Sequence, residues 1–383
     1  MTLNILCFDL VKSFIQKDMI SALIEDGHQV KNIEYSPSDK YHDESFERIA
    51  KSEIKSNAYN AVLTANFHPE LARICHEENV PYISWVYDTP PNLPTAEYMD
   101  LPSNKIFFFN KDDTDKYKEL GLDTVYHLPL AVNTKRLDLV KPLNDIKQVS
   151  FIGKLYEPIL PTLKTGMTDF QKGYIDGLIK VQEAICYEDI ISSKITDKLT
   201  QDICLEYKSK GISLQLSKKE LYWAISEYIS CLDRINILNN MASLFDTHLY
   251  SPTLSKEISS NLSRVNIHPP VDYISEMPAI FKSTRINLCP IIRANLSGIP
   301  LRIIDILGCK SFTIASYQKG LAENFTQNED IVMYTSIDEA IDLATYYINH
   351  ENERVSIVEK GYQKVKTQFS YKDRIHILLE CIS

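Results

Sequence analysis

From the N-terminus to Leu130, short apolar runs alternate with longer stretches whose apolar residues recur every three or four positions. That alternation is the pattern of strand–helix–strand units around a parallel sheet. The runs Leu3–Phe8, Val30–Tyr35, Ala61–Thr64, Tyr82–Tyr87, Ile106–Phe109 and Val125–Leu130 predict strands. The stretches Phe14–Asp26, Asp43–Ser56, Pro69–Glu78 and Asp112–Leu120 predict the helices between them. Gly27-His28 ends the first helix with a glycine in the position that favours left-handed backbone, and a strand follows at once.

The alternation breaks at a polar stretch, 133–148, which holds Lys135, Arg136, Asp138, Lys141, Pro142 and Asp145. This is the best boundary in the chain, a linker between two domains. Val149-Ser150-Phe151-Ile152-Gly153-Lys154 then reads as a buried strand stopping at a glycine, as a second doubly wound domain would begin. From about 157 to 244 the periodicity is helical with few strand signals, which predicts a helical insertion. Strand signals resume near Thr247–Tyr250, Val265–Ile267, Ile286–Leu288, Phe312–Ala315 and Ile331–Met333. The expected fold class is α/β: two Rossmann-like doubly wound domains, 1–132 and 149–370, facing each other across a cleft. A last helix, 371–383, has the apolar spacing to pack back on the first domain.

Composition narrows the function classes. With 41 Lys and Arg against 51 Asp and Glu the net charge is −10, and nucleic acid as a partner is not expected because its affinity needs a basic footprint. Eight cysteines, at 7, 75, 186, 204, 231, 289, 309 and 381, show neither zinc-ribbon nor redox spacing and read as reduced thiols of a cytoplasmic protein. The start, Met1-Thr2-Leu3-Asn4-Ile5-Leu6, runs straight into a strand and has no leader pattern. No run nears the ~20 apolar residues of a transmembrane segment.

Chemistry in doubly wound domains gathers just after strands. The run Arg293-Ala294-Asn295-Leu296-Ser297-Gly298-Ile299-Pro300-Leu301-Arg302 follows a strand and leads into a helix expected to start near Pro300. Free N–H groups there would attract phosphate, Arg302 would add a guanidinium, and Asp305 could accept from ribose hydroxyls. The same residues also suit an ordinary strand–loop–helix with Arg302 and Asp305 paired or solvated. Gly153-Lys154 fits either a diphosphate contact or a simple strand exit. Asp88, ahead of Thr89-Pro90-Pro91, either takes a proton from an acceptor hydroxyl or caps its turn. Asp9, His68 and His127 are weaker candidates of the same placement, each as well explained by local hydrogen bonding.

The run Ser297-Gly298-Ile299-Pro300-Leu301-Arg302 to Asp305-Ile306-Leu307-Gly308 resembles the donor-site segment of group-1 glycosyltransferases of the GT-B fold, and most closely the branch related to the spore-maturation protein CgeB. That superfamily carries two glutamates eight positions apart here; Asp305 falls at the second, while Ser297 departs from the first. Val149 to Tyr156, Asp233-Arg234-Ile235, Leu249-Tyr250, His268-Pro269-Pro270-Val271-Asp272-Tyr273, Ser84 to Pro90 and Tyr126 to Leu130 resemble further family segments in the expected order. The resemblance implies a glycosyltransferase moving a sugar from a nucleotide-diphosphate donor to a hydroxyl of a glycan, protein or small molecule. It implies donor contacts from Gly153, Lys154, Tyr250, His268, Tyr273, Ser297, Gly298, Ile299, Pro300, Arg302 and Asp305, with Asp88 and Arg302 catalytic. The second domain would hold the donor and the first the acceptor. No metal or other cofactor is expected, Arg302 and Lys154 neutralising the leaving diphosphate. The alternatives are a non-catalytic nucleotide-sugar-binding or assembly protein of the same fold, and a nucleotide-sugar 2-epimerase.

Overall fold

The computed structural model describes residues 2–89, 91, 95–185 and 188–382, so Met1, Pro90, Cys186 and Ser383 of the segments above lie outside the described residues. Contact density divides the chain into two units. One is Met1–Lys135 with Ser297–Ile304 and Lys364–Ser383; the other is Arg136–Leu296 with Asp305–Gln363.

The first unit holds β1 (Asn4–Asp9), β2 (Gln29–Glu34), β3 (Ala61–Ala65), β4 (Tyr82–Val86), β5 (Asn104–Phe108) and β6 (Val125–His127), in the order β2-β1-β3-β4-β5-β6. All its pairings are parallel. Every residue of β3 and β4 is buried, as strands covered by helices on both faces must be, whereas edge strand β2 is open, with only Val30 and Ile33 half-buried. Helix Gln16–Glu25 ends at Gly27, with φ +89°; the His28 N–H reaches back to the Leu23 carbonyl and the Gly27 N–H to that of Ile24. A side chain there would clash with its own backbone. Helix Tyr371–Glu380 completes this unit: Arg374 donates from Nε to the Pro129 carbonyl at 2.9 Å, and Tyr371 meets Trp85 edge-on at 6.0 Å between ring centres.

The second unit holds β7 (Lys147–Ile152), β8 (Thr247–Tyr250), β9 (Asn266–His268), β10 (Thr284–Cys289), β11 (Thr313–Ser316) and β12 (Val332–Tyr334), in the order β12-β11-β10-β7-β8-β9, again parallel. Between β7 and β8 lies a helical insertion with a core of its own, in which Leu163, Ile175, Ile179, Ile203, Tyr207, Leu221 and Ile225 pack together. Its longest helix, Lys218–Leu244, starts in a capping box between Ser217 and Glu220.

The polar stretch read as a linker is partly helical, over Thr134–Leu139. Its exposed carbonyls are satisfied from within the second unit: the Lys282 ammonium donates to the carbonyls of Leu137 at 2.6 Å and Val140 at 2.7 Å. A cation at a helix C-terminus supplies the donor and the favourable charge that polar composition alone did not reveal.

Candidate functional site

In open α/β sheets ligands bind outside the carboxyl ends of the strands where the strand order reverses. In the second unit that point lies between β7 and β10. The β7 end continues into Gly153-Lys154 and the β10 end into Pro290. Arg234, buried on the helix Lys218–Leu244, spans the two: its guanidinium donates to the Lys154 carbonyl at 2.5 Å and to the Pro290 carbonyl at 2.9 Å. It also lies over the rings of Phe151 and Tyr156, 5.3 and 4.6 Å from their centres. The same helix holds the next loop, with Asp233 paired to Arg293 at 2.7 Å and the Ser230 hydroxyl accepting from the Arg293 backbone N–H at 3.0 Å. Lys154 itself is exposed, its carbonyl braced and its side chain beside the half-buried Glu227, whose carboxyl is raised by burial and pulled back down by Lys154.

Gly153 is tied to the neighbouring strand, its N–H donating to the Tyr250 carbonyl at 2.9 Å. Tyr250 and His268 face each other across β8 and β9 with rings stacked at 4.5 Å, and His248 lies beside His268 with ring centres 5.1 Å apart and its Nδ1 2.8 Å from the His268 Nε2. Burial and the His248 ring hold His268 below the usual histidine range, and burial with the charges of Asp145 and Asp246 pushes the Tyr250 phenol up to about 12. Tyr273 donates from its hydroxyl to Asp305 Oδ2 at 3.0 Å, and Arg136 lies over the Tyr273 ring at 5.3 Å. The structure therefore unites Gly153, Lys154 and Tyr250 with His268, and separately Tyr273 with Asp305.

The remaining predicted donor residues count with the first unit. The helix starts at Leu301, directly after Pro300, with Arg302 half-buried in its first turn and Asp305 buried one turn on. Gly298 and Ile299 are buried, and Pro300 is half-buried. The Ser297 hydroxyl is spent on structure: it donates to Asn110 Oδ1 at 2.8 Å and accepts from the Asp112 N–H at 3.1 Å.

At the corresponding point of the first sheet, between β1 and β3, the ends of β1, β3 and β4 line a pocket of about 80 Å³ formed by Val11, Lys40, Asn66, Phe67, His68, Val86, Asp88 and Pro91. Asp88 is exposed, and its Oδ2 accepts from the Asn66 side-chain amide at 2.7 Å. Asn66 has φ +63° and takes the Tyr87 N–H on its own Oδ1 at 3.0 Å, so a left-handed residue aims the carboxylate. Asp9 is committed to its turn through the Ser13 N–H at 3.1 Å, and His127 lies exposed at the end of β6.

The spacing Asp-x-Asp, a common holder of divalent metal, occurs once in the chain, at Asp113-Thr114-Asp115. Both carboxylates have partners, Asp113 accepting from the Thr89 hydroxyl at 2.6 Å and Asp115 pairing with Lys111 at 2.6 Å. His42, Glu47 and Glu70 also bring ligand atoms within 4.8 Å of one another. There Glu47 already pairs with Lys51 at 2.7 Å and Arg73 at 3.1 Å, and Glu70 accepts the Asp43 N–H at 2.9 Å, so little net negative charge is left for a cation.

Sequence reasoning passed over the roles of Arg234, Asn66, Lys40 and His248. The one available signal was a charged residue on the otherwise uncharged buried face of the Lys218–Leu244 helix.

No curated protein sequence matches the chain. Solved structures do match it over its whole length: a glycosyltransferase from Rickettsia africae (11% identity, 100% of this chain and 99% of that chain, TM-score 0.61) and the sucrose-phosphate synthase of Thermosynechococcus elongatus (10%, 100% and 100%, 0.56). A third is the Anabaena protein HepE in complex with UDP-glucose (8%, 99% and 99%, 0.56). At these identities the likeness is one of fold, and the fold is that of the GT-B glycosyltransferases: two parallel six-stranded sheets with flanking helices. Within it, residues 234–380, from the bracing arginine through the helix that carries Asp305 to the last helix, match the family described as glycosyl transferase-like.

Proposed function

We propose that the protein is a glycosyltransferase that moves a sugar from a nucleoside-diphosphate donor onto an acceptor hydroxyl. The observation that carries this is the glycosyl transferase-like match over 234–380, the stretch that contains Arg234, His268, Tyr273, Ser297, Arg302 and Asp305. The donor is read as a uridine-diphosphate sugar, since HepE was solved with UDP-glucose on the same fold. Gly153 and Lys154 would meet the diphosphate, Tyr250 and His268 the base side, and Asp305 with Tyr273 the ribose. The segment Ser297, Gly298, Ile299, Pro300 would bring backbone close to the donor. Arg302 would neutralise the leaving diphosphate without a metal ion, and Asp88 would take the acceptor proton. Those roles rest on the resemblance and on placement at strand ends.

The branch related to CgeB is our reading on the ordered segments from Ser84 to Gly308, and the cytoplasm our reading on the seven free cysteines among the described residues. Among the described residues no helix is long and apolar enough to cross a membrane.

The test is a thermal-shift comparison of UDP, GDP, CDP, ADP and dTDP followed by transfer assays with the sugar conjugate that responds. Saturation at about 100 times Kd stabilises a protein by about 2.7 kcal/mol, and UDP should stand out. Arg302→Ala should then lower turnover about a hundredfold, the usual cost of losing one preorganised charge partner. A protein indifferent to every nucleotide, or an Arg302→Ala variant with normal turnover, would overturn the reading.

A further inference from the structure

Asp246, His248 and His268 form one hydrogen-bonded chain on a single face of the second sheet. The register puts His248 opposite Asn266 and Tyr250 opposite His268, and positions two apart in a strand share a face. The His248 Nε2 lies 2.8 Å from Asp246 Oδ2, and its Nδ1 lies 2.8 Å from the His268 Nε2. The two imidazoles are parallel within 15° with centres 5.1 Å apart, so the contact between them runs in the ring plane, as an N–H···N bond requires. The Asn266 amide donates to Asp246 Oδ1 at 3.0 Å and orients the carboxylate, while the Tyr250 ring, 4.5 Å away, sets the plane of His268.

Such a chain has one neutral solution. A carboxylate only accepts, so His248 carries its proton on Nε2, which leaves its Nδ1 bare. A bare Nδ1 needs a donor, so His268 carries its proton on Nε2 and keeps a lone pair on its own Nδ1. Burial, the His248 ring and Lys147 on β7 hold His268 below the usual histidine range against the pull of Asp246, which keeps this ring neutral at neutral pH. Its Nδ1 has no partner among the described residues and is not sealed in the core. The next two residues, Pro269 and Pro270, have no backbone N–H. The open ring edge and the two residues after it therefore offer a ligand acceptors and no donor.

We propose that Asp246 and His248 are positioning residues that lock His268 as an acceptor for the imide N–H of a uracil ring. The base lies beside Tyr250 and His268 only on the nucleotide reading above, so the ligand half of this assignment rests on that reading. Uracil carries a proton on the ring nitrogen of its pairing edge, whereas cytosine docked in the same way sets lone pair against lone pair. One added proton reverses the site. Whether it settles on His268 Nδ1, or makes His248 the cation and turns His268 into the other tautomer, Nδ1 becomes a donor. The charges facing this titration are Asp246 beside His248, Lys147 on β7, and Asp145 on the side of Tyr250.

Nitrogen NMR of the full chain reads the His268 tautomer, with its signals assigned by their loss in His268→Gln. Wild type at about pH 7.5 should show a protonated Nε2 and a bare Nδ1. His248→Phe, or Asp246→Ala should the first variant fail to fold by circular dichroism, should populate both tautomers. UDP should bind about tenfold more tightly than CDP, the usual cost of an acceptor left without its donor. That ratio should shrink toward one in the variants, and in wild type as the pH drops from about 7.5 to about 5.5. CDP carries the same phosphates, so the ratio cancels their own titration. A protonated Nδ1 on His268 at neutral pH, equal binding of UDP and CDP by wild type, or a preference untouched by the variants and by acid would each overturn the proposal. A locked His268 in a protein that ignores every nucleotide removes the donor reading and the uracil ligand with it. The wrong tautomer in a protein that binds UDP removes the lock alone, so the two fail separately.

Discussion

At the scale of single residues, the most informative groups are those whose surroundings do not explain them by packing. His68 has a measurable consequence for stability. In the unfolded chain its ring titrates near 6.5 and in the folded protein near 3. Above 6.5 both states are neutral and the folded state bears no penalty. As pH falls below 6.5 the unfolded chain takes up a proton that the folded protein refuses. Stability should then fall by up to about 1.4 kcal/mol per pH unit until the folded ring titrates too. Urea unfolding of wild type and His68→Phe between pH 7 and about 4 tests this: the gap between the two should shift in favour of the variant as pH drops. Parallel curves would mean that the ring finds a proton acceptor the structure does not contain. Ser297 teaches the reverse lesson. Its place in the donor-like run was legible, but its hydroxyl is occupied by Asn110 and the Asp112 backbone.

At the scale of elements, the long helix Lys218–Leu244 acts as a brace across the point where the second sheet reverses its strand order. Arg234 reaches the chain beyond β7 through the Lys154 carbonyl and beyond β10 through the Pro290 carbonyl. Removing the guanidinium leaves these carbonyls without their donor and two rings without their cation. Arg234→Met should therefore cost about 2–4 kcal/mol of stability, and Arg234→Lys should recover only part of it, because an ammonium lacks the planar fork. Denaturant unfolding measures the first effect. A rise in donor KM larger than the fall in kcat would show that Lys154 has been misplaced. An Arg234→Met protein as stable as wild type would remove the bracing role.

At the scale of the whole molecule, chain order and unit membership differ. The first unit is built from the N-terminal third of the chain and from Lys364–Ser383, with Ser297–Ile304 counting alongside. The last helix buries Tyr371, Arg374, Ile375, Leu378 and Leu379 and covers Trp85, whose indole N–H donates to the Leu128 carbonyl at 3.1 Å. Ending the chain after Phe369 should expose Trp85. Of the two tryptophans, Trp223 lies in the helical insertion, so a Trp223→Phe background isolates Trp85 fluorescence. A red shift with loss of several kcal/mol is expected, in line with stripping five side chains from a core. Unchanged emission and stability would mean that the first unit stands without its C-terminal helix.

Local pattern determined a great deal. Alternating apolar runs specified the twelve strands to within a few residues, because a strand covered on both faces has to be apolar throughout and a covering helix has to be amphipathic. The insertion, the Gly27 cap and the helix start after Pro300 followed from equally local chemistry. What the sequence could not carry was anything created by residues far apart in the chain. Arg234 becomes a brace only because Lys154 and Pro290, 80 and 56 positions away, end on adjacent strands. His68 loses its water only because the fold buries it to 3% exposure, with neither ring nitrogen hydrogen-bonded. The short helix in the polar stretch likewise needed the distant Lys282 to meet its carbonyls. Burial, charge and hydrogen-bond partnership are properties of a place, and the place exists only once the chain has folded.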